Sequence, residues 1–259
     1  MQKANIVLKF LRHFFTARHT KGYGVHSPYL FNFVRFVVRE RNKYYLYDDL
    51  EKLRLQLLTD HRQIGVTDFG TGYNRFRKVS DIAARSLLPA KYAQLLFRMV
   101  KHFKPNTILE LGTSLGITTA YLASNSSNCR CTSLEGCPQT ANIARENFSK
   151  LQLKNIVVVE GNIDQTLLPV LEGLDKPDFI FIDANHTSEA LLKYFEICLK
   201  YVSKNSVMVF DDIHWSDDME SAWNTIKKHE KVKSTIDLFR MGIVFFNTDL
   251  NKKDYKIRY

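Results

Sequence analysis

Ile108-Leu109-Glu110-Leu111-Gly112-Thr113-Ser114-Leu115-Gly116 is the stretch on which the fold turns. The residues around Glu110 read as a buried parallel strand. Two glycines follow at a spacing of four, and Ile117-Thr118-Thr119-Ala120-Tyr121-Leu122-Ala123 then opens a helix. A strand, a glycine turn and a helix put backbone N–H groups and a helix N-terminus at the carboxyl end of a sheet, where open α/β sheets bind ligands. Glycine suits such a turn because a Cβ would block a ligand lying against the backbone. The spacing is G-x-x-x-G, not the G-x-G-x-x-G of dinucleotide sites.

Moving outward, Cys131-Thr132-Ser133-Leu134-Glu135 reads as a second strand ending in a carboxylate about 20 residues past the glycine loop, where an acidic side chain can accept ribose hydroxyls. Gln139 to Leu151 reads as a helix with Ala141, Ala144 and Phe148 on its apolar face. Ile156 to Glu160 is a third strand, closed by Gly161-Asn162-Ile163-Asp164. Asp178 to Asp183 is a fourth, apolar between its end carboxylates as a strand covered on both faces should be. A helix from Ser188 to Tyr201 leads to a fifth strand, Ser206 to Phe210, which ends in Asp211-Asp212. Ser216 to Lys228 is helical. Ser234 to Phe239 and Gly242 to Phe246 then form an antiparallel pair around a tight turn at Arg240-Met241.

The glycine run, with its acidic residue two positions earlier, resembles motif I of the class I S-adenosylmethionine-dependent methyltransferases. The order of elements from Ala90 to Asn247 resembles the sheet of that superfamily, an α/β Rossmann-like sheet, mostly parallel with an antiparallel strand near its C-terminal end. Within it, the catechol-type small-molecule O-methyltransferases are the most similar group. Ala93-Gln94 resembles that group's Gly-Gln helix start, Phe181-Ile182-Asp183-Ala184-Asn185-His186 its Asp-Ala-Asp-Lys segment, and Phe210-Asp211-Asp212 its Asp-Asn pair.

The resemblance implies S-adenosylmethionine as cofactor. Glu110 and the loop Gly112, Thr113, Ser114 and Gly116 would hold its methionyl end, and Glu135 its ribose. Asn162 and Ile163 would border the adenine, with Asp164 assisting, and Asp183 is counted among the cofactor-site residues. Asp183, Asp211 and Asp212 match the group's Mg²⁺ ligands, with Asp212 where the group has Asn. Three oxygen ligands and waters suit that ion, which can lower the pKa of a bound hydroxyl. His186 stands at the catalytic Lys position. Two mechanisms stay open: Mg²⁺ binds the nucleophile and His186 assists, or His186 is the general base alone while Asp183 and its neighbours orient it. His214 is a second base candidate, beside Trp215, a candidate for the substrate pocket.

At 259 residues the chain can bury a sizeable core. No apolar run is long enough to cross a bilayer. Cys129, Cys131 and Cys137 lack the paired spacing of zinc sites and read as reduced thiols of a cytoplasmic protein. The net charge of +10 is uneven: residues 1–104 hold 20 Lys and Arg against 7 Asp and Glu, and residues 105–259 hold 17 against 20. The split suggests a basic, mainly helical N-terminal extension over 1–89 and a cofactor-binding domain over 90–259. Such asymmetry fits an anionic partner, nucleic acid included, or a solvated basic face.

The first helix carries Ile6, Val7, Leu8, Phe10, Leu11, Phe14 and Phe15 with Lys9, Arg12 and His13 between them. Packing on the domain or on a second subunit of a homodimer is the reading preferred over a membrane surface. Gly22 to Pro28 reads as a loop before a helix over Tyr29 to Arg41, and Asp81 to Leu88 as another helix. Asp68-Phe69-Gly70-Thr71-Gly72 mimics the glycine motif but follows no long apolar strand, and reads as a loop. The activity expected is methyl transfer to a hydroxyl of a small molecule. The alternatives are an RNA or protein methyltransferase using the basic region, and a binding protein that keeps the fold without turnover.

Overall fold

The computed structural model describes residues 2–67 and 74–259, so the second glycine run, Asp68 to Gly72, lies outside the described residues. The chain forms two compact units, one of residues 41–175 and one of residues 1–40 with 176–259. The basic N-terminal segment is therefore shared between both units instead of ending at residue 89.

In the unit 41–175, β1 (Gln63–Thr67) and β2 (Asn74–Lys78) pair antiparallel, with Gly65 opposite Phe76. The sequence reading missed this pair, because a five-residue strand interrupted by Gly65 shows little alternation. β3 (Thr107–Leu111), β4 (Arg130–Glu135) and β5 (Ile156–Glu160) are parallel neighbours, with Glu110 opposite Ser133 and Glu135 opposite Glu160. The helix Ala90–Phe103 starts after Pro89 and ends on Lys104 in the left-handed region (φ 50°), and it buries Leu95, Leu96, Phe97, Met99 and Val100. The helix Ile117–Ala123 is buried at every position, as a helix following the first strand of a covered sheet must be. Ile163–Gly173 is a helix the sequence reading did not mark, because Pro169 in its interior breaks the usual pattern.

In the other unit, β6 (Phe179–Ile182), β7 (Val207–Phe210), β8 (Ser234–Asp237), β9 (Gly242–Phe245) and β10 (Lys253–Lys256) lie in the order β10-β8-β9-β7-β6. β6 and β7 are parallel and wholly buried. β9 runs antiparallel to both β7 and β8, and is the reversed strand expected near the C-terminal end. β10 joins parallel to β8, although Lys-Asp-Tyr-Lys carries no apolar alternation. Helices Ser188–Cys198 and Asp217–Lys228 are capped by the Thr187 and Ser216 hydroxyls. The buried Trp223 ring fills the space over Gly242, where a Cβ would come within 2.7 Å of the indole. Pro28–Phe33 is helical and passes into a π-turn at Val34–Val38, which shortens the helix expected to reach Arg41. Among the described residues no helix is long and apolar enough to cross a membrane.

The N-terminal helix Gln2–Thr16 packs through Lys9 and His13, with Phe10 touching the Phe239 ring by its edge. Lys9 pairs with Asp217 (2.6 Å) and Glu220 (2.8 Å), and His13 is buried. Val7, Leu8, Phe10, Leu11, Phe14 and Phe15 remain exposed. The acidic first turn of Asp217–Lys228 and the buried Asp237 draw the basic residues inward.

Candidate functional site

The unit 41–175 holds the glycine loop and its carboxylates. Glu110, at the penultimate position of β3, is fully buried. Its Oε2 accepts from the Thr119 hydroxyl and from Ser133 Oγ (2.6 Å). Thr113 Oγ1 lies 2.5 Å from Ser133 Oγ. Ser133 has one proton and gives it to Glu110, so Thr113 is the donor to Ser133. Glu110 Oε1 has no hydrogen-bond partner among the described residues. A buried carboxylate oxygen with no partner costs a large desolvation penalty unless a proton or a ligand meets it. Burial pushes the Glu110 carboxyl up to about 7, against the bonds from Ser133 and Thr119.

That shift has a pH consequence. The native chain holds the Glu110 proton more tightly than the unfolded chain, whose value is 4.5. The associated stability is full below that value and is lost as pH rises through about 7. Urea denaturation at about pH 5 and about pH 8 should show wild type losing roughly 3 kcal/mol relative to Glu110→Gln across this range. A gap between the two proteins that does not change with pH would mean that Glu110 does not titrate there.

The loop bonds largely to the end of β4. The N–H groups of Gly112 (3.0 Å) and Thr113 (3.2 Å) donate to Leu134 O, and Gly116 N donates to Thr113 O (2.9 Å). Ser114 N donates to Glu135 Oε2 (2.7 Å), with Ser114 at φ 48°. Glu135 Oε1 accepts from Cys137 N (2.9 Å) and Thr140 Oγ1 (3.1 Å). The loop therefore holds Glu135 in place and is not a cradle of outward N–H groups. Burial raises the Glu135 carboxyl, opposed by these donors. Gly161 N donates to Glu135 O (2.9 Å), which brings the end of β5 beside Glu135. Asn162 Oδ1 accepts from Asp164 N (3.0 Å), so this side chain caps the helix Ile163–Gly173. Ile163 is half-buried. All four cysteines are buried, and none is in a disulfide.

The unit formed by residues 1–40 and 176–259 holds the candidate chemical groups at the carboxyl ends of β6 and β7. Asp183 directly follows β6, and its Oδ1 lies 3.7 Å from His186 Nε2. The His186 side chain is 40% exposed, enough to meet a solute. Partial burial lowers its pKa below 6.5, with the Asp212 charge opposing and Arg240 adding to the effect.

Asp211 and Asp212 follow β7. Asp211 is buried, and Arg240 grips it with two nitrogens: Nε at 3.0 and 3.1 Å, and Nη2 at 2.7 Å. Arg240 Nη2 also lies 3.4 Å from Asp212 Oδ1. Burial pushes the Asp211 carboxyl up to about 6, the Asp212 charge adds to this, and Arg240 opposes it. The Mg²⁺ assignment to Asp183, Asp211 and Asp212 meets this geometry and does not fit it. Among the described residues no three His, Cys, Asp or Glu side chains are placed to hold a metal ion, and the Arg240 guanidinium engages the Asp211 carboxylate.

His214 faces carboxylates with both ring nitrogens: Nε2 is 2.9 Å from Asp237 Oδ2, and Nδ1 is 3.7 Å from Glu220. Its ring stacks on Phe239, with centroids 5.3 Å apart. His13 Nε2 reaches Asp237 Oδ1 at 3.1 Å, and Phe239 N donates to the same oxygen at 2.8 Å. Burial alone would raise the Asp237 carboxyl, but the bonds from His13 and His214 outweigh it and hold it well below the usual range. His214 therefore joins a buried knot with the N-terminal helix and is poorly placed as a base. Trp215 stays about half exposed.

Asp237, a role for Arg240, and the bonds from Ser133 and Thr119 to Glu110 were not singled out from sequence. A signal for Arg240 existed. Antiparallel pairing of β9 with β7 brings the β8–β9 turn back to the carboxyl end of β7, with Gly242 opposite Phe210.

Residues 109–213 match the family model of a methyltransferase domain. An O-methyltransferase, imqG, from Aspergillus flavus is 29% identical over 145 residues, 53% of this chain and 56% of that protein. The chain thus spans little more than half the length of that relative. The O-methyltransferase from Bacillus cereus in complex with SAH aligns with a TM-score of 0.58 at 22% identity, over 83% of this chain and 96% of that one. Cofactor-bound Rv0187 from MTB aligns with a TM-score of 0.59 at 20% identity, over 76% and 89% of the two chains. At these identities the structural likeness establishes the fold, a mostly parallel Rossmann-like sheet with helices.

Proposed function

We propose that this chain, which carries a class I methyltransferase domain, is an enzyme that moves the methyl group of S-adenosylmethionine to a hydroxyl of a small molecule. The observation that carries the reading is Glu110, a buried carboxylate with one unpartnered oxygen directly before the glycine loop. A cationic ligand group meeting Oε1 would satisfy it, and the ammonium of the cofactor's methionyl end has that chemistry. The loop from Gly112 to Gly116 contributes shape and a fixed Glu135. The cofactor carries no phosphate, so a loop whose N–H groups are taken up by Leu134, Glu135 and Thr113 is no obstacle. Glu135 would accept from the ribose hydroxyls, and Asn162 and Ile163 would border the base.

When bound, the cofactor supplies a methyl group already activated by its sulfonium, which leaves as a neutral thioether once the acceptor oxygen takes the methyl. The chain's own residues align that oxygen and remove its proton. His186 Nε2 accepts the proton, and Asp183 at 3.7 Å favours the imidazolium that forms. His186 is held below 6.5, so its base form dominates at neutral pH.

Calorimetric titration of the purified protein with S-adenosylmethionine tests the cofactor site. Saturable binding is expected, weakened by about 10- to 100-fold in Glu135→Ala, the loss of hydrogen bonds to a charged acceptor. No binding by the wild-type protein would overturn the reading.

A further inference from the structure

We propose that Arg240 is the resident cation of the acidic cluster at the end of β7, standing in the place a divalent metal would take, and that methyl transfer by this chain proceeds without one. The proposal rests on the methyltransferase reading only in giving the cluster a catalytic role. Its geometry stands by itself.

Two consecutive carboxylates, Asp211 and Asp212, repel each other at a strand end, and Asp211 is buried. Such a pair needs a counter-charge. A divalent ion would meet it with carboxylate oxygens and waters. Here Arg240 meets it instead, with Nε and Nη2 bound to both oxygens of Asp211 and Nη2 turned toward Asp212. A planar fork matched to a carboxylate is a fixed cation that neither exchanges nor carries water. Asp183 also acts on Arg240 electrostatically, so the charge serves three carboxylates.

The backbone around the cluster shows that this placement is enforced. Phe239, directly before Arg240, has φ 74°, a conformation costly for a bulky residue, and Asp212 has φ 52°. Phe239 is held there by its N–H bond to Asp237, by stacking on His214 and by an edge contact with Phe10. Strain of this kind persists only where the surroundings over-determine it. A turn that merely joined two strands would take a glycine at that position. The Arg240 side chain remains 29% exposed, so its charge is within reach of a solute. A positive group in that position stabilises an acceptor oxygen as it loses its proton to His186, the task assigned elsewhere to a metal ion.

The test is titration of the protein with Mn²⁺, followed by electron paramagnetic resonance of the free ion, without S-adenosylmethionine. Wild type is expected to leave the added Mn²⁺ free. Arg240→Ala, with its fold checked by circular dichroism, is expected to take up one Mn²⁺ per chain, because removal of the guanidinium leaves the Asp211 and Asp212 carboxylates without their counter-charge. Uptake of one Mn²⁺ per chain by wild type, abolished in Asp212→Asn, would overturn the proposal, as would a folded Arg240→Ala that binds none. Should Arg240→Ala fail to fold, the wild-type titration decides alone. Cofactor binding is read in a separate experiment, so failure of either proposal leaves the other distinguishable.

Discussion

His186→Ala is expected to lower kcat by about 10²- to 10⁴-fold while leaving S-adenosylmethionine binding near its wild-type value. The imidazole lies beyond β6 and is exposed enough to touch an acceptor, whereas the residues assigned to the cofactor lie at the ends of β3, β4 and β5. A group that acts only on the acceptor's proton should appear in kcat and not in cofactor affinity. The pH profile adds an independent readout. Wild-type kcat should fall on the acid side with a midpoint below 6.5, because burial disfavours the imidazolium. That limb should vanish in the variant. An unchanged kcat, or an acid limb that survives in His186→Ala, would remove His186 from the mechanism. Asp183→Asn should give a smaller loss and shift the limb further down, since the carboxylate favours the charged ring.

Gly116→Ala is expected to destabilise the fold by about 2–4 kcal/mol and to disorder the glycine loop. Gly116 sits at φ 82° at the entrance to the helix Ile117–Ala123. An L-residue there costs roughly 1–2 kcal/mol from the backbone alone. Its Cβ would lie 2.7 Å from the Phe148 ring and 3.0 Å from the Ala144 Cβ, and overpacking of this kind adds about 1–3 kcal/mol. Both neighbours belong to the buried face of Pro138–Lys150. Urea midpoints measure the loss. Phe148→Leu in the Gly116→Ala background should recover part of the steric share and none of the backbone share. A midpoint equal to wild type would mean that the loop relaxes without cost. Because the loop also fixes Glu135 through Ser114, cofactor affinity should fall with stability.

The parallel strands were legible because each is a short apolar run closed by an acidic residue or a turn. Glu135, Asp183 and Asp211 could be named for that reason, and Glu110 from its place two residues before the first glycine of the loop. The glycine loop was legible as a motif, but its bonding to the end of β4 was not. Spacing says that Ser114 follows Gly112 by two residues; it does not say that the Ser114 N–H turns onto Glu135. The paired strands Gln63–Thr67 and Asn74–Lys78 and the polar strand Lys253–Lys256 escaped notice because their stability comes from pairing with neighbours and not from a pattern of their own.

Local sequence determined where strands end and which residue types stand at those ends, since hydrophobic periodicity and turn chemistry act over a few residues. Only the tertiary structure decided what those end groups do. Asp211 becomes the partner of an arginine 29 residues away because β9 folds back against β7. His214 becomes part of a buried knot because His13, 224 positions from Asp237, is drawn to the same carboxylate. The charge a carboxylate carries, and whether a metal or a guanidinium answers it, depends on burial and on neighbours within a few ångströms. Chain folding sets those quantities, and spacing along the sequence does not encode them.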